Sequence, residues 1–383
     1  MDKTGYSFEA SDVLFGLADS LPNDGKTFGY VKVPYSSDVS AYGFIAVPIA
    51  IIGNGDGPTA LLMAGSQGDE FEGQIALARM ARTLTPDSMT GRVIIVPMAN
   101  APAAQAGRRN SPIDGLNLNR IYPGDVRGMP TAMIASYLER HLMSGADIVL
   151  DLHSGGRSMR YLPCATIIDH SDATERARRL ALALALAFGA PSVLINHAFE
   201  ERTSTGAARR AGAVRIGAEI GGGGSMEKAL VDLTFDGVMN TLAWSGIVPE
   251  SFAKQSQTPA DAVYDVVQER DYVYALSDGL FEPAVLLGDK VEEGDLAGLL
   301  HDPSRTLSDP VEVRFRASGT VVCLRVPALT ERGDCLAHLS RDFEGRFDGE
   351  LQQARSSRWL RDLYQRNRPQ VRRPRSAQGE GLR

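Results

Sequence analysis

Two short apolar runs stop abruptly at polar, glycine-bearing segments, and they fix the class of fold available to this chain. Ala60-Leu61-Leu62-Met63-Ala64 runs straight into Gly65-Ser66-Gln67-Gly68-Asp69-Glu70, and the run from Asp147 to Leu152 delivers His153-Ser154-Gly155-Gly156. Uninterrupted apolar segments of strand length suit strands buried on both faces, the condition of a parallel sheet covered by helices. In such sheets ligands bind at the carboxyl edge, so Gln67, Glu70 and His153 are expected to meet there. A carboxylate and an imidazole at neighbouring strand ends suggest metal-centred hydrolysis, which needs about three protein ligands and an open position for water. Gln67 would be the third by position, although its neutral amide oxygen is a poorer donor to zinc than a second imidazole. A solvated Glu and a hydrogen-bonded histidine are the plainer alternative, and the glycines beside both segments weigh against it because they let backbone approach a ligand closely.

Alternating strand-like and helix-like segments continue on either side. Strands are predicted at 43–52, 60–64, 92–98, 193–196 and 214–220. Helices are predicted at 73–84, with Ile75, Leu77, Ala78 and Met80 inward, and at 133–143, 173–188 and 226–244. This is the pattern of an α/β domain over residues 1–250, with a mixed, mostly parallel sheet carrying helices on both faces. After Pro249 the texture changes. Residues 255–262 read as a polar linker, and a Gly-Asp pair then recurs at Gly288-Asp289, Gly294-Asp295 and Gly333-Asp334 between short β segments. A small all-β, barrel-sandwich-like module is expected over 263–340, and a helix (356–366) with a disordered basic tail (372–383) over 341–383.

Composition excludes more than it selects. At 383 residues with 43% hydrophobic and 23% charged side chains the chain has ample material for a core, and a net charge of −7 argues against a nucleic-acid partner. The longest apolar stretch, Leu180 to Phe188, is too short to span a bilayer, and the first residues lack the pattern of a secretory signal. Three scattered cysteines, Cys164, Cys323 and Cys335, form no CxxC pair, which fits a reducing cytoplasm and argues against a disulfide framework.

Three further groups are candidates for chemistry. Glu219 precedes Ile220 and the run Gly221 to Gly224, so its carboxylate can serve as a proton carrier beside an open loop. Arg108, Arg109, Asn119 and Arg120 lie in a polar loop after the 92–98 strand, where guanidinium forks and an amide can hold a carboxylate or polarise a carbonyl. Arg108 reads equally well as a solvated loop arginine. The remaining histidines, His141, His170, His197, His301 and His338, lack partners at ligand spacing and are read as structural, and Cys164 as a buried small residue.

Four stretches in order, GSQGDEFEG (65–73), DGLNLNRIYPG (114–124), DLHSGG (151–156) and EIGGGG (219–224), resemble the succinylglutamate desuccinylase/aspartoacylase family, zinc-dependent relatives of the carboxypeptidases. The likeness extends from about 28 to 340 and is greatest to the branch that deacetylates N-acetyl-diaminobutyrate in ectoine breakdown. The resemblance implies a carboxypeptidase-like fold and a cytoplasmic homo-oligomer that hydrolyses the amide of a small N-acyl amino acid. It also implies one Zn2+ per chain, held at Glu70, His153 and the position of Gln67, where the family places a histidine. Glu219 matches the catalytic glutamate, Arg109 the arginine that polarises the carbonyl (with Arg108 as the alternative), and Asn119 and Arg120 the pair that grips the substrate carboxylate. With Gln67 in a ligand position, the rival expectations are a homologue that binds an acylated amino acid without cleaving it and a transacylase using the same carbonyl chemistry.

Overall fold

The alternation of side chains along each central strand explains why this chain builds a three-layer structure. In the computed structural model, which describes residues 13–343 apart from 18, 170–173, 198–199, 255–262, 267–268 and 306, the first strands are β1 (Val13–Phe15), β2 (Gly25–Pro34), β3 (Phe44–Asn54), β4 (Thr59–Ala64) and β5 (Gly91–Val96). They are followed by β6 (Ile148–His153), β7 (Met159–Ile168), β8 (Ser192–Asn196) and β9 (Val214–Gly222). Interleaved helices are α1 (Glu72–Thr83), α2 (Ala101–Ala106), α3 (Pro130–Tyr137), α4 (Glu175–Phe188), α5 (Ser204–Ala211) and α6 (Lys228–Trp244). On β4, Ala60, Leu62 and Ala64 point into one core with α1, α4 and α6, while Leu61 and Met63 point into another with α2, α3 and α5. Successive side chains of a strand face opposite ways, so a run apolar at every position must be covered twice. The expected 255–262 linker and the tail from 344 onward lie outside the described residues. No described helix is long and apolar enough to cross a membrane.

The sheet is mixed, and "mostly parallel" holds only for part of it. Strands β5-β4-β6-β9 run parallel, as do β7 and β8, but β2–β3, β3–β5 and β7–β9 are antiparallel. The reversal at β7 has a simple cause. Only residues 154–158 separate β6 from β7, far fewer than the dozen or so that a parallel crossover needs, so the chain turns back and pairs beyond β9. The sequence reading missed both β2 and β7.

Two helices also differ from expectation. The inner face of α1 is Gly73, Ala76, Leu77 and Met80, while Ile75 is exposed. A Cβ on Gly73 would stand 2.8 Å from that of Leu152, so the bare Cα lets the helix settle on β6 and rotates Ile75 outward. The helix expected at 133–143 begins at Pro130, whose fixed φ suits a first turn, ends at Tyr137 and continues as a π-turn over Leu138–Leu142.

Past α6 the described chain is β throughout, apart from short 3-10 turns: β10 (Val263–Val266), β11 (Tyr272–Tyr274), β12 (Gly279–Pro283), β13 (Lys290–Val291), β14 (Leu296–His301), β15 (Val311–Arg314), β16 (Gly319–Arg325), β17 (Leu329–Thr330) and β18 (Cys335–Asp342). A four-stranded sheet, β15-β14-β12-β17, packs around Phe281, Leu300, Val313 and Phe315. The other strands join the large sheet: β10 pairs with both β8 and β18, β16 with β7, and β11 with β18. That continuity carries Tyr272 and His338, paired in register, to the edge of the same cavity as the β6 and β9 ends.

Candidate active site

Register places the first two groups. His153 and Glu219 are paired residues on the adjacent parallel strands β6 and β9. Neighbouring strands lie about 4.8 Å apart, so the pairing alone brings the imidazole beside the carboxylate. Gln67 and Glu70 reach the same edge from the loop after β4. Glu70 is 4% and His153 8% exposed, and Glu70 Oε2 lies 2.8 Å from His153 Nδ1. The backbone N–H of Ser154 also donates to Glu70 Oε2, at 3.3 Å, and the Arg109 guanidinium stands 3.7 Å from Oε1.

Behind the imidazole lies a second acid. Asp151, fully buried, shares a face of β6 with His153, and its Oδ2 is 2.8 Å from His153 Nε2, within ion-pair range though off the line of a hydrogen bond. It also accepts from the hydroxyls of Ser66 and Ser204 and from Arg215. Burial alone would raise the Asp151 pKa, but His153, Arg215 and Ser204 outweigh it and hold the carboxyl well below the usual range. Burial would lower the His153 pKa, yet Asp151 and Glu70 raise it well above the ordinary imidazole value. Glu70 is pushed up by burial, partly offset by His153. Burial pushes Glu219 to about 8, with His153 opposing and Glu70 adding to the shift. Its Oε2 has no hydrogen-bond partner among the described residues.

The orientation of Gln67 is determined by its neighbour. Asn117 Oδ1 accepts the backbone N–H of Asn119 at 2.9 Å and is therefore the acceptor end of that amide. Gln67 must then present Nε2 to it, also at 2.9 Å. This leaves Gln67 Oε1 buried, with no partner among the described residues. Asn119 Oδ1 accepts from the backbone N–H of Ser204 at the start of α5, and Arg120 donates to the Asn119 carbonyl.

The loop after β9 is stapled to the loop after β6. Gly155 N–H donates to the Gly221 carbonyl, Gly223 N–H to that of Met159, and Gly224 N–H to that of Gly156. All four residues from Gly221 to Gly224 have positive φ, and a Cβ on Gly222 would stand 2.3 Å from the Met159 carbonyl oxygen. Only glycine fits there, which accounts for the run. Glu72, buried beneath it, accepts from Gly222 N–H.

Gln67, Glu70, Arg109, Asn119, Arg120, His153 and Glu219 all line one cavity of about 520 Å³. Arg108 does not: its side chain is exposed, and its contribution is a backbone carbonyl that accepts from Gly68 N–H. Sequence reasoning passed over Asp151, Arg215, Ser204 and Asn117. Of these, Asp151 had a readable signal, the Asp-x-His spacing that puts two side chains on one face of a strand. His338, read as structural, lines the cavity together with Tyr161 and Tyr272.

The chain is similar to proteins of one family. A family model described as the succinylglutamate desuccinylase/aspartoacylase catalytic domain matches residues 56–244. The chain is 39% identical over 322 residues, 84% of its length and 93% of the relative's, to the N-alpha-acetyl-L-2,4-diaminobutyric acid deacetylase of Halomonas elongata. Among solved structures it is similar to a succinylglutamate desuccinylase/aspartoacylase from Rhodobacter sphaeroides (35% identity, TM-score 0.79, 84% and 97% of the two chains covered). It is equally similar to the product-bound ectoine utilization protein EutE (DoeB) from Ruegeria pomeroyi (36% identity, TM-score 0.79, 85% and 98% covered). With 84% of its length aligned to a relative at that identity, the chain belongs to the succinylglutamate desuccinylase/aspartoacylase family.

Proposed function

We propose that this protein hydrolyses the amide of an N-acyl amino acid, with N-acetyl-2,4-diaminobutyrate, the substrate in its relative's name, as the first compound to test. The observation that carries the reading is the convergence of a half-buried carboxylate with a pKa of about 8, an imidazole–carboxylate pair and three arginines on one cavity. Glu219, at about 8, is matched to taking a proton from an attacking water and returning it to the departing amine. Arg109 is the group on the cavity wall able to receive charge developing on the acyl oxygen. Asn119 and Arg120 offer an amide and a guanidinium to the substrate carboxylate.

The donor set is compatible with one divalent metal ion per chain, zinc in the first instance. Glu70 and His153 would hold it, with the unpartnered Gln67 Oε1 as the third donor. Such an ion, when bound, acidifies water and polarises a carbonyl. Asp151, on the far nitrogen of His153, fixes the ring so that Nδ1 faces Glu70.

Gln67 also favours a second reading, a protein that binds an acylated amino acid without cleaving it, because a neutral amide is a weak third ligand. Metal content and hydrolysis measured on the native chain, Gln67→His and Glu219→Gln separate the two. The deacylase reading expects turnover by the native chain and a loss of about a thousandfold in kcat for Glu219→Gln at unchanged metal content. Turnover confined to Gln67→His would establish the binding reading, and a fully active Glu219→Gln would remove Glu219 from the chemistry.

A further inference from the structure

The cavity has a second wall that the hydrolytic reading leaves unused. Tyr161 on β7, Tyr272 on β11 and His338 on β18 line it. The imidazole of His338 stacks on the Tyr272 ring at 4.1 Å between centroids and 9° between planes. His338 is 5% exposed, and neither ring nitrogen has a hydrogen-bond partner among the described residues. Two unpaired polar atoms beside a cavity are costly unless something in the cavity can pair with them.

The charges around the cavity are unevenly placed. Its cationic lining residues, Arg109, Arg120, His153 and Arg215, come from the connection between α2 and α3, from β6 and from β9, and β7, β8, β10, β11 and β18 contribute none. Asp271, next to Tyr272, is already ion-paired with Arg341. Burial keeps His338 uncharged, with its pKa down at about 4, so the ring offers a free lone pair to an N–H donor. The Tyr161 ring can present an electron-rich face to a cation, whereas the Tyr272 ring is stacked on His338 and on Tyr274. The Tyr161 phenol lies within electrostatic reach of both Glu219 and Tyr272, which places this wall next to the proton carrier.

We propose that Tyr161, Tyr272 and His338 form a subsite for a primary ammonium on the side chain of the acylated amino acid, the imidazole, held flat against Tyr272, accepting its hydrogen bond and the Tyr161 ring facing its charge. The inference rests on the deacylase reading and deepens it by assigning the substrate side chain. A side-chain carboxylate would meet no cation on this wall, and an aliphatic side chain would leave His338 unsatisfied.

Calorimetric binding of L-2,4-diaminobutyrate and L-2-aminobutyrate, which differ only in the terminal ammonium, tests the subsite without requiring turnover. The full chain should prefer the diamino acid by about tenfold, the scale of a desolvated cation–π contact with a hydrogen bond. His338→Phe keeps the stacked ring but removes both nitrogens, and Tyr161→Leu removes the aromatic face offered to the charge. Each should cut the preference to roughly threefold or less. Equal binding of the two ligands by the native chain, or a preference untouched in a folded His338→Phe protein, overturns the subsite. If the chain nonetheless hydrolyses acylated amino acids, only the subsite falls. Binding of neither ligand together with no hydrolysis overturns both the subsite and the deacylase reading.

Discussion

The two walls of the cavity are built on different principles. One consists of the ends of β4, β6 and β9, where Gln67, Glu70, His153 and Glu219 each follow an apolar run within a few residues. It is dense in buried charge, and its members shift one another's pKa values strongly. The other is assembled from β7, β11 and β18, three strands far apart in sequence, and is aromatic and uncharged. On the proposed function, the contrast separates reactivity from recognition: the mutually coupled acids and bases belong to the first wall, shape and selectivity to the second.

That separation can be broken by substitutions that move the wrong observable. The largest stability effect is expected at Asp151. Asp151→Asn strips the charge that faces both His153 and Arg215 and should destabilise the protein by about 3–5 kcal/mol, the usual result of leaving buried ionic partners uncompensated. Urea unfolding measures this, and a loss below about 1 kcal/mol would mean that the first wall is not held together by charge. Next, Arg120→Ala should raise KM for an N-acyl amino acid by tenfold or more, about the worth of a charged hydrogen bond. A drop carried by kcat instead would move Arg120 from binding to chemistry. The smallest effect is one of pH. Burial raises Glu219 from its unfolded value to about 8, so folding takes up a proton and this group weakens the metal-free protein progressively as pH rises from the unfolded carboxyl range to 8. Glu219→Gln removes that penalty. Its melting temperature should exceed that of the metal-free native protein at pH 8, with the gap narrowing towards pH 5. A gap independent of pH would contradict a Glu219 that titrates at about 8.

The same contrast explains what could be read from the residues alone. Where an apolar run ends in a compact polar motif, as at 60–70 and 147–156, strand and site are written in one stretch, and the mixed α/β class follows from it. The second wall is not written in any stretch. His338 lies in an unremarkable β segment, Cys335-Leu336-Ala337-His338-Leu339, and becomes a cavity residue only because Tyr272 and Cys323 flank it in register on either side. Asn117, Ser204 and Arg215 likewise gain their roles from elements that meet only after the chain has folded. The reversal at β7 was hidden for a related reason: a five-residue connection and Pro163 inside the strand obscured the period that marks an ordinary buried strand.

The glycine run after β9 has a consequence for how this protein can change. Four consecutive positions with left-handed backbone, one of them pressed against the Met159 carbonyl, leave almost no substitution that preserves the loop. A saturation library should therefore be barren from 221 to 224 and fertile at 161, 272 and 338. New preferences would then have to arise by repainting the side of the chamber contributed by distant strands, while the hearth of the reaction stays as it is.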